Sequence, residues 1–115
     1  MSTTPLKLNL ADGSVTFSFT ASAARDLQSA IAQLMQNLKA ATQASGSGRR
    51  SPQKSMEYQF SGDVFLEVFC NPNIYASPFA AKVLITLRDE RIRLSTEAEL
   101  TRVIEDLNEY LEQAR

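Results

Sequence analysis

The stretch KVLITLRDERIRLSTEAELTRVIEDLNEYL, residues 82–111, changes its hydrophobic period part-way, and that change decides the fold. KVLITLR (82–88) and RIRLS (91–95) place apolar residues at every second position, the period of a strand with one buried face. The Asp89-Glu90 bend between them predicts a two-residue hairpin with Arg88 across from Arg91 and Thr86 across from Arg93, while Ile85, Leu87, Ile92 and Leu94 face a core. From Thr96 the period becomes that of a helix. Leu100, Val103, Ile104, Leu107 and Leu111 form one stripe, Glu105, Asp106, Glu109 and Glu112 lie mostly off it, and Thr96-Glu-Ala-Glu99 has the form of a capping box. A hairpin that runs into an amphipathic helix is the expected local unit.

The N-terminal half reads in the same way. LKLNL (6–10) and SVTFSFT (14–20) alternate, and Asp12-Gly13 between them is a type I′ turn signal, because both central residues of that turn must accept positive φ. That loop sets Leu10 across from Val15, Leu8 from Phe17 and Leu6 from Phe19, with all six on one face. A helix over about residues 21–43 follows, with the stripe Leu27, Ile31, Leu34, Met35 and Leu38 and with Thr20 or Ser22 as its N-cap. The spacing of the two hairpin-plus-helix units is similar enough to suggest a duplication, although any hairpin followed by a helix shares that look.

Between the units, residues 44–55 are rich in Gly, Ser and basic residues, the composition of a flexible loop. MEYQF (56–60) and VFLEVFC (64–70) then read as two more strands, the latter apolar on both faces apart from Glu67 and therefore placed centrally. The layout is ββα-ββ-ββα. It predicts an α+β fold, a mainly antiparallel β-sheet with two amphipathic helices on one face, and 1–115 as a single domain.

Composition narrows the chemistry. Hydrophobic residues make up 43 % and charged residues 22 %, with a net charge of −1, so no global field draws the molecule to nucleic acid or acidic lipid. The chain has no histidine, which removes the commonest general base near neutral pH and the commonest zinc ligand. Cys70 stands alone, with no neighbouring cation to activate it, and reads as a small buried hydrophobe. Glu105 and Glu109 are one helical turn apart but lie in no calcium-loop pattern, and Gly46-Ser-Gly48 lies in no phosphate-binding loop. No enzymatic role and no cofactor are expected. The start MSTTPLKLNLADG lacks a basic, apolar leader and no segment reaches the roughly 20 apolar residues of a membrane span, so a cytoplasmic protein away from membranes is expected.

What remains is a candidate contact surface. Like charges opposed across strands are unfavourable by about 0.2–1 kcal/mol, so Arg88, Arg91 and Arg93 need either neighbouring acids such as Glu57, Glu67, Asp89 and Glu90 or an anionic ligand. Aromatic residues crowd the same half: Tyr58, Phe60, Phe65, Phe69, Tyr75 and Phe79 cannot all fit beneath a sheet covered on one side. The excess is expected to meet a homodimer partner, the segment 71–81 folded back over the sheet, or a different protein. The arginine hairpin, Tyr58, Phe60, Phe65 and Phe69, with Arg49 and Arg50 in the loop, thus mark a protein-binding adaptor, chaperone or regulator of a larger partner. RNA or single-stranded nucleic acid is the alternative partner, with the arginines on phosphates and Tyr58 or Phe65 stacked on bases; the acidic last helix weighs against it.

Overall fold

A computed structural model describes residues 4–46 and 52–114. In chain order the elements are β1 (Thr4–Leu10), β2 (Gly13–Phe19), α1 (Ala21–Gly46), β3 (Met56–Ser61), β4 (Phe65–Cys70), β5 (Lys82–Arg88), β6 (Arg93–Glu99) and α2 (Leu100–Gln113). The α+β order ββα-ββ-ββα is as expected, with one refinement: the strands form two antiparallel sheets, β1-β2 and β3-β4-β5-β6. β4, apolar on both faces, is central as its composition requires.

The alternation in β1 and β2 buries Leu6, Leu8, Phe17 and Phe19, as the period-two pattern demands. The register differs from the expected one by two residues: Leu10 pairs with Gly13, Leu8 with Val15 and Leu6 with Phe17, with Ala11 and Asp12 in the loop. A slip of two leaves every side chain on its face, so hydrophobic patterning cannot distinguish these registers. The shorter reach lets all seven residues of each strand pair.

α1 starts where expected. The Thr20 hydroxyl accepts from Ala23 N–H at 3.1 Å, which makes Thr20 the N-cap. Ala24, Leu27, Ile31, Leu34 and Leu38 are buried along one stripe. Of the stretch expected to be flexible, residues 44–46 continue α1 and residues 47–51, with Arg49 and Arg50, lie outside the described residues. Gln53 is tied to Asn73 in both directions, Gln53 N–H donating to Asn73 Oδ1 at 2.8 Å and Asn73 Nδ2 donating to the Gln53 carbonyl at 2.9 Å.

The last hairpin and helix depart most from expectation. Thr96–Glu99 are strand, not a helix N-terminus: β6 pairs along the whole of β5, from Arg88↔Arg93 to Lys82↔Glu99. Leu94, Thr96 and Ala98 continue the inward alternation begun in RIRLS, and that long pairing outcompetes the local capping box. α2 begins at Leu100 with Glu99 at the N-cap position but no side-chain cap; the Ala81 carbonyl takes the Leu100 N–H at 3.0 Å instead. The two hairpins thus differ in loop length and register, which argues against reading them as copies of one unit.

Both helices and the β1-β2 hairpin cover the same side of the four-stranded sheet. α1 contacts β3, while α2 contacts β6, β1 and α1. Phe19 of β2 meets Phe60 of β3 edge-to-face at 4.9 Å and leans on Tyr110 of α2 at 6.1 Å. One continuous core results, in which Leu66, Val68, Val83 and Ile85 of the sheet join Leu27, Leu34 and Leu38 of α1 and Leu100, Val103 and Leu107 of α2.

The candidate interaction face

The opposite side of the sheet is defined by strand pleating. Register aligns its outward residues into rows that cross all four strands: Ser61, Phe65, Arg88 and Arg93; then Gln59, Glu67, Thr86 and Ser95; then Glu57, Phe69, Leu84 and Glu97. Lys82 and Glu99, of opposite charge, add a further pair beyond the glutamates. Their inward neighbours Leu66, Val68, Val83, Ile85 and Leu87 are all buried. The segment 71–81, expected as a possible cover for this face, turns the other way: its two short 3₁₀ turns, Pro72–Ile74 and Pro78–Ala80, contact α1 and α2.

Of the residues proposed for contact, Phe65, Phe69, Arg88 and Arg93 come together on this face. Tyr58 and Phe60 do not. They point to the helix side, where the Tyr58 hydroxyl donates to the Ala23 carbonyl at 3.1 Å and Phe60 packs on Phe19. They differ from the expected placement because alternation along MEYQF puts both on the face of buried Met56, where each is half-buried. Burial, with Asp26 nearby, pushes the Tyr58 phenol up to about 12.

The opposed arginine pair exists, between different partners. The connection between β5 and β6 has four residues, and Arg88 lies across from Arg93 rather than Arg91. Asp89 explains the longer loop. Its Oδ1 accepts from Arg91 N–H at 2.7 Å and Ile92 N–H at 2.9 Å, the side-chain-to-backbone bonding that suits Asp at the first position of a turn. The two-residue alternative would have forced Asp89 and Glu90 to positive φ, a conformation that glycine or asparagine accepts far better than glutamate. Those two N–H donors hold the Asp89 carboxyl below the usual aspartate range. Arg91 is carried to the tip of the turn and Ile92 is turned out, 67 % exposed, rather than packed in the core as its place in RIRLS suggested.

Arg88 does not face Arg93 unaided. Its guanidinium lies 4.4 Å from the centroid of the Phe65 ring, its neighbour on β4, and a cation over an aromatic face contributes about 0.5–1 kcal/mol at an exposed site. Among the described residues, the one ion pair joins Arg102 and Asp106, so none of the three arginines is neutralised by direct contact with a carboxylate. Asp63, Asp89 and Glu90 nevertheless line the same shallow depression as Phe65, Arg88 and Arg91, which makes that end mixed in charge and less suited to a purely anionic ligand. Glu67 is held from within the face, accepting from Gln59 Nε2 at 2.9 Å.

Leu84 was not singled out in the sequence. It is 44 % exposed beside Phe69, although it belongs to an apolar run; strict alternation in KVLITLR, with Val83, Ile85 and Leu87 inward, is the signal that assigns it outward. Helical spacing sets Asp106 mostly off the core stripe of the last helix, and the structure buries it. Its two oxygens accept from Asn9 N–H and Asn9 Nδ2, each at 2.8 Å, so α2 caps the open edge of β1. Cys70 is buried, and desolvation pushes its thiol up to about 11, which keeps it protonated and unreactive near neutral pH. Among the described residues, no helix is long and apolar enough to cross a membrane. Compared with protein-family models, curated proteins and solved structures, the chain matches none.

Proposed function

We propose that this protein works without catalysis, as a protein-binding adaptor, chaperone or regulator of a larger macromolecular partner, and that it binds through the outer face of its four-stranded sheet. One observation carries the reading: Phe65 beside Arg88, and Phe69 beside Leu84, lie on the side of the sheet away from both helices, on either side of the polar middle row that holds Glu67. Aromatic residues and arginine are the residue types enriched in protein contacts. Phe69→Asp on immobilised protein should abolish capture of partner proteins from the native cell while the far-UV circular dichroism stays unchanged. Capture indifferent to that substitution would overturn the reading. Tight binding of single-stranded RNA that weakens steeply between two salt concentrations would favour the nucleic-acid alternative, because phosphate contacts release counterions and an apolar protein contact does not.

A further inference from the structure

The outer face carries a pattern that matches itself. The rows on either side of the middle row Gln59, Glu67, Thr86 and Ser95 differ in charge: Arg88 and Arg93 lie with Ser61 and Phe65 on one side, Glu57 and Glu97 with Phe69 and Leu84 on the other, and Lys82 and Glu99 beyond those. The pairing register places those four middle residues in one row across the sheet. A two-fold axis laid along that row, in the plane of the face, lays each strand over its own copy in reverse. Phe65 then falls over Phe69 of the second copy, Arg88 over its Leu84, and Arg93 over its Glu97.

From this we propose that the partner of the outer face is a second copy of the chain, stacked sheet on sheet about that axis to form an eight-stranded sandwich. The inference rests on the outer face being a contact surface, and it names the occupant. Charge argues for a copy in this orientation. The arginine row of one molecule meets the glutamate row of the other, whereas an axis parallel to the strands would bring the arginine ends of both copies together and set Glu97 over Glu57. A closed two-fold contact uses the same patch on both molecules, and a face with cations on one side of the axis and carboxylates on the other is complementary to its own copy. The face measures roughly 19 Å across four strands and 20 Å along six residues, enough to remove on the order of 600 Å² per copy from water, the low end of specific interfaces. Stacked sheets of this kind lie about 10 Å apart and turn by about 30°, an offset that the long Arg93 side chain can span. Thr86, in the middle row, is only 7 % exposed and shaded by its neighbours, so little backbone would need drying at the centre. Glu67 is the unfavourable element, since it meets its own copy near the axis, with Gln59 as the hydrogen-bond donor to each.

Sedimentation equilibrium from about 5 to 500 μM tests the arrangement. The unaltered protein should dimerise within that concentration range. Arg93→Glu and Glu97→Arg should each weaken dimerisation at least tenfold, an equimolar mixture of the two variants should recover it as a mixed dimer, and Glu67→Gln should tighten it several-fold. All three sites are on the outer face, and unchanged circular dichroism would confirm that each variant is folded. A monomer throughout the range, or a dimer indifferent to these substitutions, overturns the proposal. If a monomeric protein still loses partner capture on Phe69→Asp, only the identity of the partner was wrong; if capture also survives that change, the face itself was misassigned.

Discussion

Asp106 is nine-tenths buried and accepts both of its hydrogen bonds from one distant residue, so its removal leaves the Asn9 N–H and side-chain amide without their acceptors. Hydrogen bonds to a charged group contribute about 1.5–3 kcal/mol each, and Asp106→Ala should lower the unfolding free energy by roughly 2–4 kcal/mol in urea denaturation. Arg102→Ala is the control: its guanidinium is about half exposed and 3.8 Å from Asp106, and surface ion pairs of that kind contribute about 0–1 kcal/mol. Tyr58 makes a second residue-level test. Its phenol is raised to about 12 by burial, and the folded protein therefore holds that proton more tightly than the unfolded chain does. The stability this contributes is complete below the usual tyrosine range near 10 and is lost as pH rises towards 12, where the phenolate can no longer donate to the Ala23 carbonyl. Burial raises Tyr75 and Tyr110 as well, so absorbance at 295 nm should show the tyrosines titrating late, and Tyr58→Phe should remove the part of that signal near pH 12.

At the scale of elements, the turn between β5 and β6 depends on one carboxylate. Asp89→Ala takes away the acceptor for two successive N–H groups and should broaden the amide resonances of residues 90–92 while leaving those of β4 unchanged. The carboxyl is held below the usual range, so its contribution is present at neutral pH and disappears as pH falls through that lowered value. This turn also shows what patterning can and cannot convey. Period-two alternation in Leu6, Leu8, Phe17 and Phe19 placed the inner faces correctly, because burial depends on parity alone. Register depends on turn chemistry, and there the readings of Asp12-Gly13 and Asp89-Glu90 each missed by two residues. Thr96-Glu-Ala-Glu99 misled for a related reason: a capping box contributes locally, whereas strand pairing with β5 recruits Val83 and Ile85, partners invisible within a short window. Of the outer face, Phe65, Phe69, Arg88 and Arg93 were legible from composition, while the placement of Tyr58 and Phe60 on the inner side required knowing which side of β3 the helices cover.

For the whole molecule, the shared core means that neither sheet is independent of the helices. Leu107 is fully buried at their junction, and Leu107→Ala should cost about 2–5 kcal/mol, with far-UV and near-UV signals lost in a single coincident transition. Separate transitions for the hairpin and the larger sheet would show that the core is divided. The tie between Asn9 and Asp106, joined by the Tyr110 hydroxyl donating to the Thr4 carbonyl at 3.1 Å, has a further consequence in time rather than in energy. A ribosome releases β1 long before it releases α2. Throughout that interval the strand's outer edge has none of its eventual partners, and residues roughly a hundred positions apart must find each other before it is closed. Such distant closures slow folding, and a nascent chain with an open strand edge is prone to pair with its neighbours. Translation that stalls before residue 100 should therefore yield aggregates, and brief assistance from a chaperone should matter most in the seconds before the last helix emerges.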